Sequence, residues 1–249
     1  MKFFFKRFFK NSLIIRPGLL NNFSFWDLIT IPFIFNVNKT TLLCEYMLNE
    51  GSDKGVFAGQ GRHNYTPIYH SLFRKFRNKE ILLFELGLGT SDKKFDSNMG
   101  PNGKPGASLR AWRKYFPYAK VFGADIDYSI LFQEDRIKTF FCDQTNPISI
   151  NEMWVSNSEL NKEFDIIIED GLHVFSANKI FLENSFNKLK SNGIYVIEDV
   201  SRSEISSWVK YLPEFSISRG NVRYMILKIP NEFNPHDNNL ILIFKPGFF

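Results

Sequence analysis

The sequence predicts an α/β domain built on a doubly wound, mostly parallel sheet with helices on both faces. Three observations carry this. From Ile81 onward, short apolar runs alternate with helical stretches, which implies right-handed crossovers between parallel strands. The runs end in glycines or acids, where ligands bind in such sheets. Finally, 249 residues with 44% apolar content suit one large core, with or without an added arm.

In chain order, Lys39 to Asn49 reads as a helix, Gly51 to Tyr65 as a loop, and Ile68 to Phe76 as a helix. Ile81 to Leu86 is a buried strand entering the turn Gly87-Leu88-Gly89. Ser91 to Gly106 is a long loop, of the kind that is usually functional or disordered. Ala107 to Tyr115 is a helix, Lys120 to Ile126 a second strand, and Thr139 to Cys142 a third. Phe164 to Glu169 is a fourth strand. A helix over Val174 to Lys190 is stopped by Gly193, ahead of a fifth strand over Ile194 to Ile197. Tyr224 to Ile229 and Leu240 to Phe244 form a closing strand pair.

The N-terminal stretch stands apart. Met1 to Phe9 is basic and aromatic, and Phe23 to Val37 is apolar but broken by Asp27 and shorter than a ~20-residue span. With no signal-cleavage pattern, it reads as an arm that packs on the domain, on another subunit or on a membrane surface. The net charge of +5 is concentrated there, in Lys2, Lys6, Arg7, Lys10 and Arg16. No basic stripe interleaved with aromatics follows, so nucleic acid is not the expected partner; acidic ligands such as nucleotide-linked sugars suit the charge. Cys44 and Cys142 have no CxxC spacing, which argues against a disulfide framework or a thiolate zinc site and for a reducing cytoplasm.

The most informative feature is a repeated triplet. Ile168-Glu169-Asp170 and Ile197-Glu198-Asp199 each close an apolar run, and His173 follows the first. Side by side at the mouth of a parallel sheet, these acids repel one another unless a cation or a proton joins them. Neighbouring strands lie ~4.8 Å apart, so acids at the ends of adjacent strands can share one ion. Oxygen donors favour Mg2+ or a similar hard cation. Glu198 and Asp199 would point to opposite faces of a continuing strand, so sharing an ion requires the strand to break there. Glu169 is expected to partner an Arg or Lys.

The cofactor half is less specific. Glu85-Leu86-Gly87-Leu88-Gly89 has glycines two apart, so the backbone can approach a ligand. The third glycine of a nicotinamide fingerprint is missing, with Asp92 in its place. Asp125, at the end of the second strand, can accept both hydroxyls of a ribose, and Asp143, at the end of the third, an adenine amino group.

In this ordered set the chain resembles class I S-adenosylmethionine-dependent methyltransferases, from about Ser52 to the C-terminus. Asp170-Gly171-Leu172-His173 and Glu198-Asp199, with Ser52-Asp53-Lys54-Gly55 and His63-Asn64-Tyr65, are similar to the metal-dependent sugar O-methyltransferases of macrolide deoxysugars and surface-glycan pathways. The resemblance implies a Rossmann-like fold with a mostly parallel seven-stranded sheet and a C-terminal antiparallel hairpin, in a domain over 46–249 with an arm over 1–45. It implies S-adenosylmethionine bound by Glu85, Gly87, Gly89, Asp125, Asp143 and Tyr65. It also implies Mg2+ on Asp170, Glu198 and Asp199, with His173 and Asp170 catalytic. The expected acceptor is a sugar hydroxyl on a nucleotide-linked sugar or glycan intermediate, including capsule heptoses, and the expected assembly a homo-oligomer. A small phenol or catechol acceptor, or a non-catalytic membrane-associated scaffold, are the alternatives. Met99, Gly103 and Gly106 are expected to fold over the ligand; Arg202, Trp208 and Arg223 are candidates to touch the sugar, and nothing in the sequence selects among them.

Overall fold

A computed structural model describes residues 29–30, 39–55 and 63–248. One sheet organises the described chain. Its strands are β1 (Ile29–Thr30), β2 (Leu82–Leu86), β3 (Lys120–Asp125), β4 (Gln133–Glu134), β5 (Ile137–Phe141), β6 (Phe164–Glu169), β7 (Leu189–Ile197), β8 (Arg223–Lys228) and β9 (Asn239–Phe244). Their order across the sheet is β1-β8-β9-β7-β6-β2-β3-β5-β4. β9 runs antiparallel to both β7 and β8, and β4 antiparallel to β5; the other pairings are parallel. Seven strands thus form the expected sheet, hairpin included, and two-residue pairings extend each edge.

The helices are α1 (Leu42–Glu50), α2 (Thr66–Phe73), α3 (Ala107–Tyr115), α4 (Pro147–Ser156), α5 (Phe175–Ser185) and α6 (Ile205–Ser218). Side chains alternate across each strand, and the alternation sorts the core into two layers. Ile166, Ile168, Ile194 and Val196 face Met47, Tyr69, Leu109 and Trp112 of α1–α3. Ile167, Tyr195 and Ile197 face Trp154, Phe181 and Trp208 of α4–α6.

From β2 the chain steps outward to β3 and β5, then returns to β6 on the other side of β2. A crevice opens at that reversal, beyond the carboxyl ends of the strands. Register brings the ends level: Leu86 pairs with Glu169, and Glu169 with Ile197. The fourth and fifth sequence strands therefore finish side by side.

Three features differ from the expectations. The helix expected over 174–190 ends at Ser185; a 3-10 turn over Phe186–Lys188 follows, and β7 begins at Leu189. Gly193 lies inside that strand, where a Cβ would come within 2.8 Å of Leu189 Cδ1 and Lys190 O, so it permits a bend and stops no helix. The helices α4 and α6 appear between expected strands. α1 straddles residue 45 and buries Leu43, Cys44 and Met47, so the folded core begins before that boundary. Met1 to Phe9, and Phe23 to Val37 apart from β1, lie outside the described residues. Among the described residues, no helix is long and apolar enough to cross a membrane.

Candidate active site

The crevice is a cavity of about 680 Å³, lined by the Gly87–Thr90 turn, the 94–99 loop, the ends of β3 and β5, Asp170–Val174, and Glu198–Asp199. Gly87 and Gly89 have φ of 90° and 79°, a region costly for other residues. A Cβ on Gly87 would sit 1.9 Å from Asp170 O, and one on Gly89 2.0 Å from Met99 Sδ. The glycines thus let the turn touch β6 and the long loop. That loop is tied back at both ends, by Met99 N to Thr90 O (2.8 Å) and Gly106 N to Leu88 O (2.7 Å).

Alternation sends Asp170 and Glu198 toward the α1–α3 layer and Glu169 toward the other. On a straight strand Asp199 would follow Glu169. Instead β7 ends at Ile197 and Asp199 takes φ of 52°, which swings its carboxylate back into the cavity. Val200 N bonds Asn239 O, and Asn239 Nδ2 bonds Val200 O at 2.7 Å, fixing the chain beyond the break. His173 is also left-handed, with φ of 62°. Its turn is held by Gln144, which accepts from Leu172 N at 2.7 Å and donates to Glu169 Oε1 at 2.6 Å. Glu169 therefore partners Gln144 and the Gly171 amide (3.3 Å), not the expected Arg or Lys.

His173 Nε2 lies 3.1 Å from Asp170 Oδ1, and its Nδ1 lies 3.8 Å from Asp199 Oδ2. The Lys54 ammonium contacts Asp170 Oδ2 and sits 2.7 Å from Glu198 Oε2 and 3.6 Å from Glu85 Oε1. Tyr65 and Tyr69, four apart at the start of α2, lie on one helix face. Their hydroxyls donate to Asp199 Oδ1 at 2.8 Å and Glu198 Oε1 at 2.6 Å. His63 Nε2 completes the set, 3.4 Å from Asp199 Oδ2.

Burial and charge compete here. Burial opposes ionisation of Asp170, but Lys54 and His173 outweigh it and hold that carboxyl well below the usual range. Burial raises Glu198 and Asp199, with neighbouring carboxylates adding to the effect. Burial also disfavours a charged His173, yet the Asp170 hydrogen bond and the fields of Asp199, Asp170 and Glu169 lift it to about 10.

No protein-family model matches the chain. It is 33% identical over 156 residues to the 8-demethyl-8-alpha-L-rhamnosyl tetracenomycin-C 2'-O-methyltransferase of Streptomyces olivaceus, covering 63% of this chain and 37% of that one. It is 31% identical over 196 residues to the demethylmacrocin O-methyltransferase of Streptomyces fradiae, covering 75% of this chain and 44% of that one. This chain is a homologue of sugar O-methyltransferases. It spans less than half the length of either relative. Among solved structures, the MycE methyltransferase of the mycinamycin pathway, in complex with Mg and SAH, superposes with a TM-score of 0.61 over 84% of this chain and 56% of that one, at 23% identity. That likeness establishes the Rossmann-like methyltransferase fold.

The structure redistributes several expected roles. Glu85 does not line the cavity. It is fully buried and accepts from Ser108 Oγ (2.6 Å) and Trp112 Nε1 (2.5 Å), with Lys54 close by. Tyr65 is likewise buried, lies outside the cavity lining and holds Asp199 through its hydroxyl. Asp125 lines the cavity, but its two oxygens accept from the Leu88 and Asp127 amides at 2.7 and 2.9 Å. It shapes the glycine turn and has acceptor capacity left. Asp143 lines the cavity and makes an Asx turn with Thr145 N at 2.9 Å. Trp208 is buried in the α4–α6 layer, and Arg202 and Arg223 are exposed away from the cavity lining, so none of the three faces an acceptor there. Lys54, Tyr69 and Gln144 were missed as site residues; the Tyr65–Tyr69 spacing was the available signal.

The residues fit a divalent cation. Among the described residues, Asp170, His173 and Asp199 each offer one ligand atom within 4.8 Å of the others. Carboxylate donors suit a hard ion. Glu198, the third acid of the expected set, accepts from Lys54 at 2.7 Å and Tyr69 at 2.6 Å.

Proposed function

We propose that this chain transfers the methyl group of S-adenosylmethionine to a sugar hydroxyl, with His173 as general base beside a Mg2+ site formed by Asp170, Asp199 and Glu198. The observation that carries this reading is the convergence of His173, Asp170 and Asp199 at the ends of β6 and β7, in the cavity that the Gly87–Gly89 turn lines. The homology to sugar O-methyltransferases supports it.

In the reaction, the hydroxyl oxygen bonds to the methyl carbon as the carbon–sulfur bond breaks. The sulfur keeps the electron pair and becomes a neutral thioether, and the hydroxyl proton passes to His173. Gly87 and Gly89 give the donor close backbone approach, and Asp125 and Asp143 line the path for its ribose and adenine. Asp170 orients the imidazole through Nε2, which leaves Nδ1 facing Asp199 and the cavity. A general base contributes about 10²–10⁴-fold, and positioning supplies much of the rest. A cation bound at the acids would supply the charge that favours loss of a hydroxyl proton and offsets the field holding a proton on His173.

The acceptor class is a glycoside, nucleotide-linked sugar or glycan intermediate; the relatives above act by name on antibiotic scaffolds, and neither name mentions a capsule sugar. The residues ahead of α1 act as an arm that serves packing, self-association or a membrane surface, and the chain works in the cytoplasm. The test is methyl transfer from labelled S-adenosylmethionine to a panel of rhamnosides, nucleotide sugars, heptosides and catechols. Transfer to a sugar that stops in chelator and returns with Mg2+ is expected. Full turnover in chelator would remove the metal, and transfer to catechols alone would remove the sugar.

A further inference from the structure

Lys54 is 3% exposed, yet its ammonium lies among Asp170, Glu198 and Glu85. Its backbone is fixed from both sides: Lys54 N bonds Ser52 Oγ, and Lys54 O accepts from Thr66 N at the start of α2. Each carboxylate oxygen of Asp170 and Glu198 already has a partner. Asp170 uses one on Lys54 and one on His173; Glu198 uses one on Lys54 and one on Tyr69. A divalent cation bridging these two acids would need the oxygens that Lys54 holds, and would stand against a like charge in a poorly screened setting. The lysine has somewhere to go, since it also lines the cavity.

We infer that Lys54 is a built-in competitor for the divalent cation: its ammonium neutralises Asp170 and Glu198 when the ion is absent, and must withdraw before the ion can bridge them. This inference rests on the reading of the site as a cation centre. It makes Lys54 a positioning residue that sets metal affinity.

The experiment titrates Mn2+ into the full chain, following free Mn2+ by electron paramagnetic resonance and heat by calorimetry, for the native protein and Lys54→Gln. Lys54→Gln is expected to bind one Mn2+ at least tenfold more tightly. Equal or weaker binding would overturn the competition. Removing a positive charge could by itself tighten binding, and the variant could misfold, so the native protein is also acetylated with acetic anhydride and its peptides measured by mass spectrometry. Saturating Mn2+ is expected to raise Lys54 labelling at least fivefold relative to exposed Lys79. Unchanged labelling with Mn2+ bound would refute displacement even if Lys54→Gln binds more tightly. If neither protein binds Mn2+, the cation reading fails and takes this inference with it; Mn2+ bound equally by both, with labelling unchanged, removes only the role of Lys54.

Discussion

The Tyr69 hydroxyl donates to Glu198 Oε1 at 2.6 Å, both groups fully or almost fully buried. A helix before the first core strand thus sets the orientation of an acid after the fifth. Tyr69→Phe removes the donor and leaves a buried carboxylate oxygen unsatisfied. The expected cost is about 1–3 kcal/mol, read from urea unfolding. In a Glu198→Gln background the cost should shrink, since the acceptor is no longer charged. An equal cost in both backgrounds would mean that Tyr69 acts through packing alone.

His173→Ala should lower methyl transfer by roughly 10²–10⁴-fold while donor affinity, measured by calorimetry, stays within about twofold. The side chain touches Asp170 and Asp199, whereas the glycine turn is built by Gly87, Gly89 and Asp125. Unchanged turnover would strip His173 of the base role.

Glu169 supplies a pH dependence. Burial pushes its pKa up from the ordinary value of 4.5 to about 8, against the lowering by His173, the Gly171 amide and Gln144. Its Oε2 is buried without a hydrogen-bond partner. The native state therefore holds a proton that the unfolded chain releases, so this contribution is full below pH 4.5 and is lost as pH rises toward 8. Glu169→Gln keeps an oxygen for Gln144 and cannot ionise. It should leave the melting temperature near native at pH 5 and raise it above native at pH 8.5. Parallel pH profiles for the two proteins would refute this.

Two glycines with similar backbone angles should respond differently to alanine. Gly87 (φ 90°) would place a Cβ 1.9 Å from Asp170 O, whereas Gly100 (φ 70°) has nothing within 4 Å. Gly100→Ala should cost only the left-handed strain, about 1 kcal/mol. Gly87→Ala should cost several times more and abolish donor binding, because the backbone of β6 must move. Equal unfolding midpoints would contradict that contact.

Much of the fold was legible because the strand ends carry their chemistry in sequence. Glu85 to Gly89, Gly123 to Asp125, Asp143, Asp170 and Glu198-Asp199 are each local, and alternation with helices ordered them. α4 had a readable start in Asn146-Pro147, where the Asn146 side chain caps Ile148 N and Pro147 opens the helix. α6 was obscured by Pro213 inside it. The site was half legible. His173, Asp170 and Asp199 meet because they end adjacent strands. Lys54 lies 116 residues from Asp170 and 144 from Glu198, and no spacing rule connects them. The burial of Glu85 and Tyr65 was not legible, because whether a polar side chain faces a cavity or lies beneath it depends on α2 and α3, which pack from elsewhere in the chain.

The left-handed turn at Asp199 sets backbone comfort against chemistry. Glycine is the comfortable occupant of that backbone angle, and only the demand for a carboxylate there opposes it. Glycine at position 199 would relax the polypeptide there, but it would remove the carboxylate that Tyr65, His63 and His173 surround.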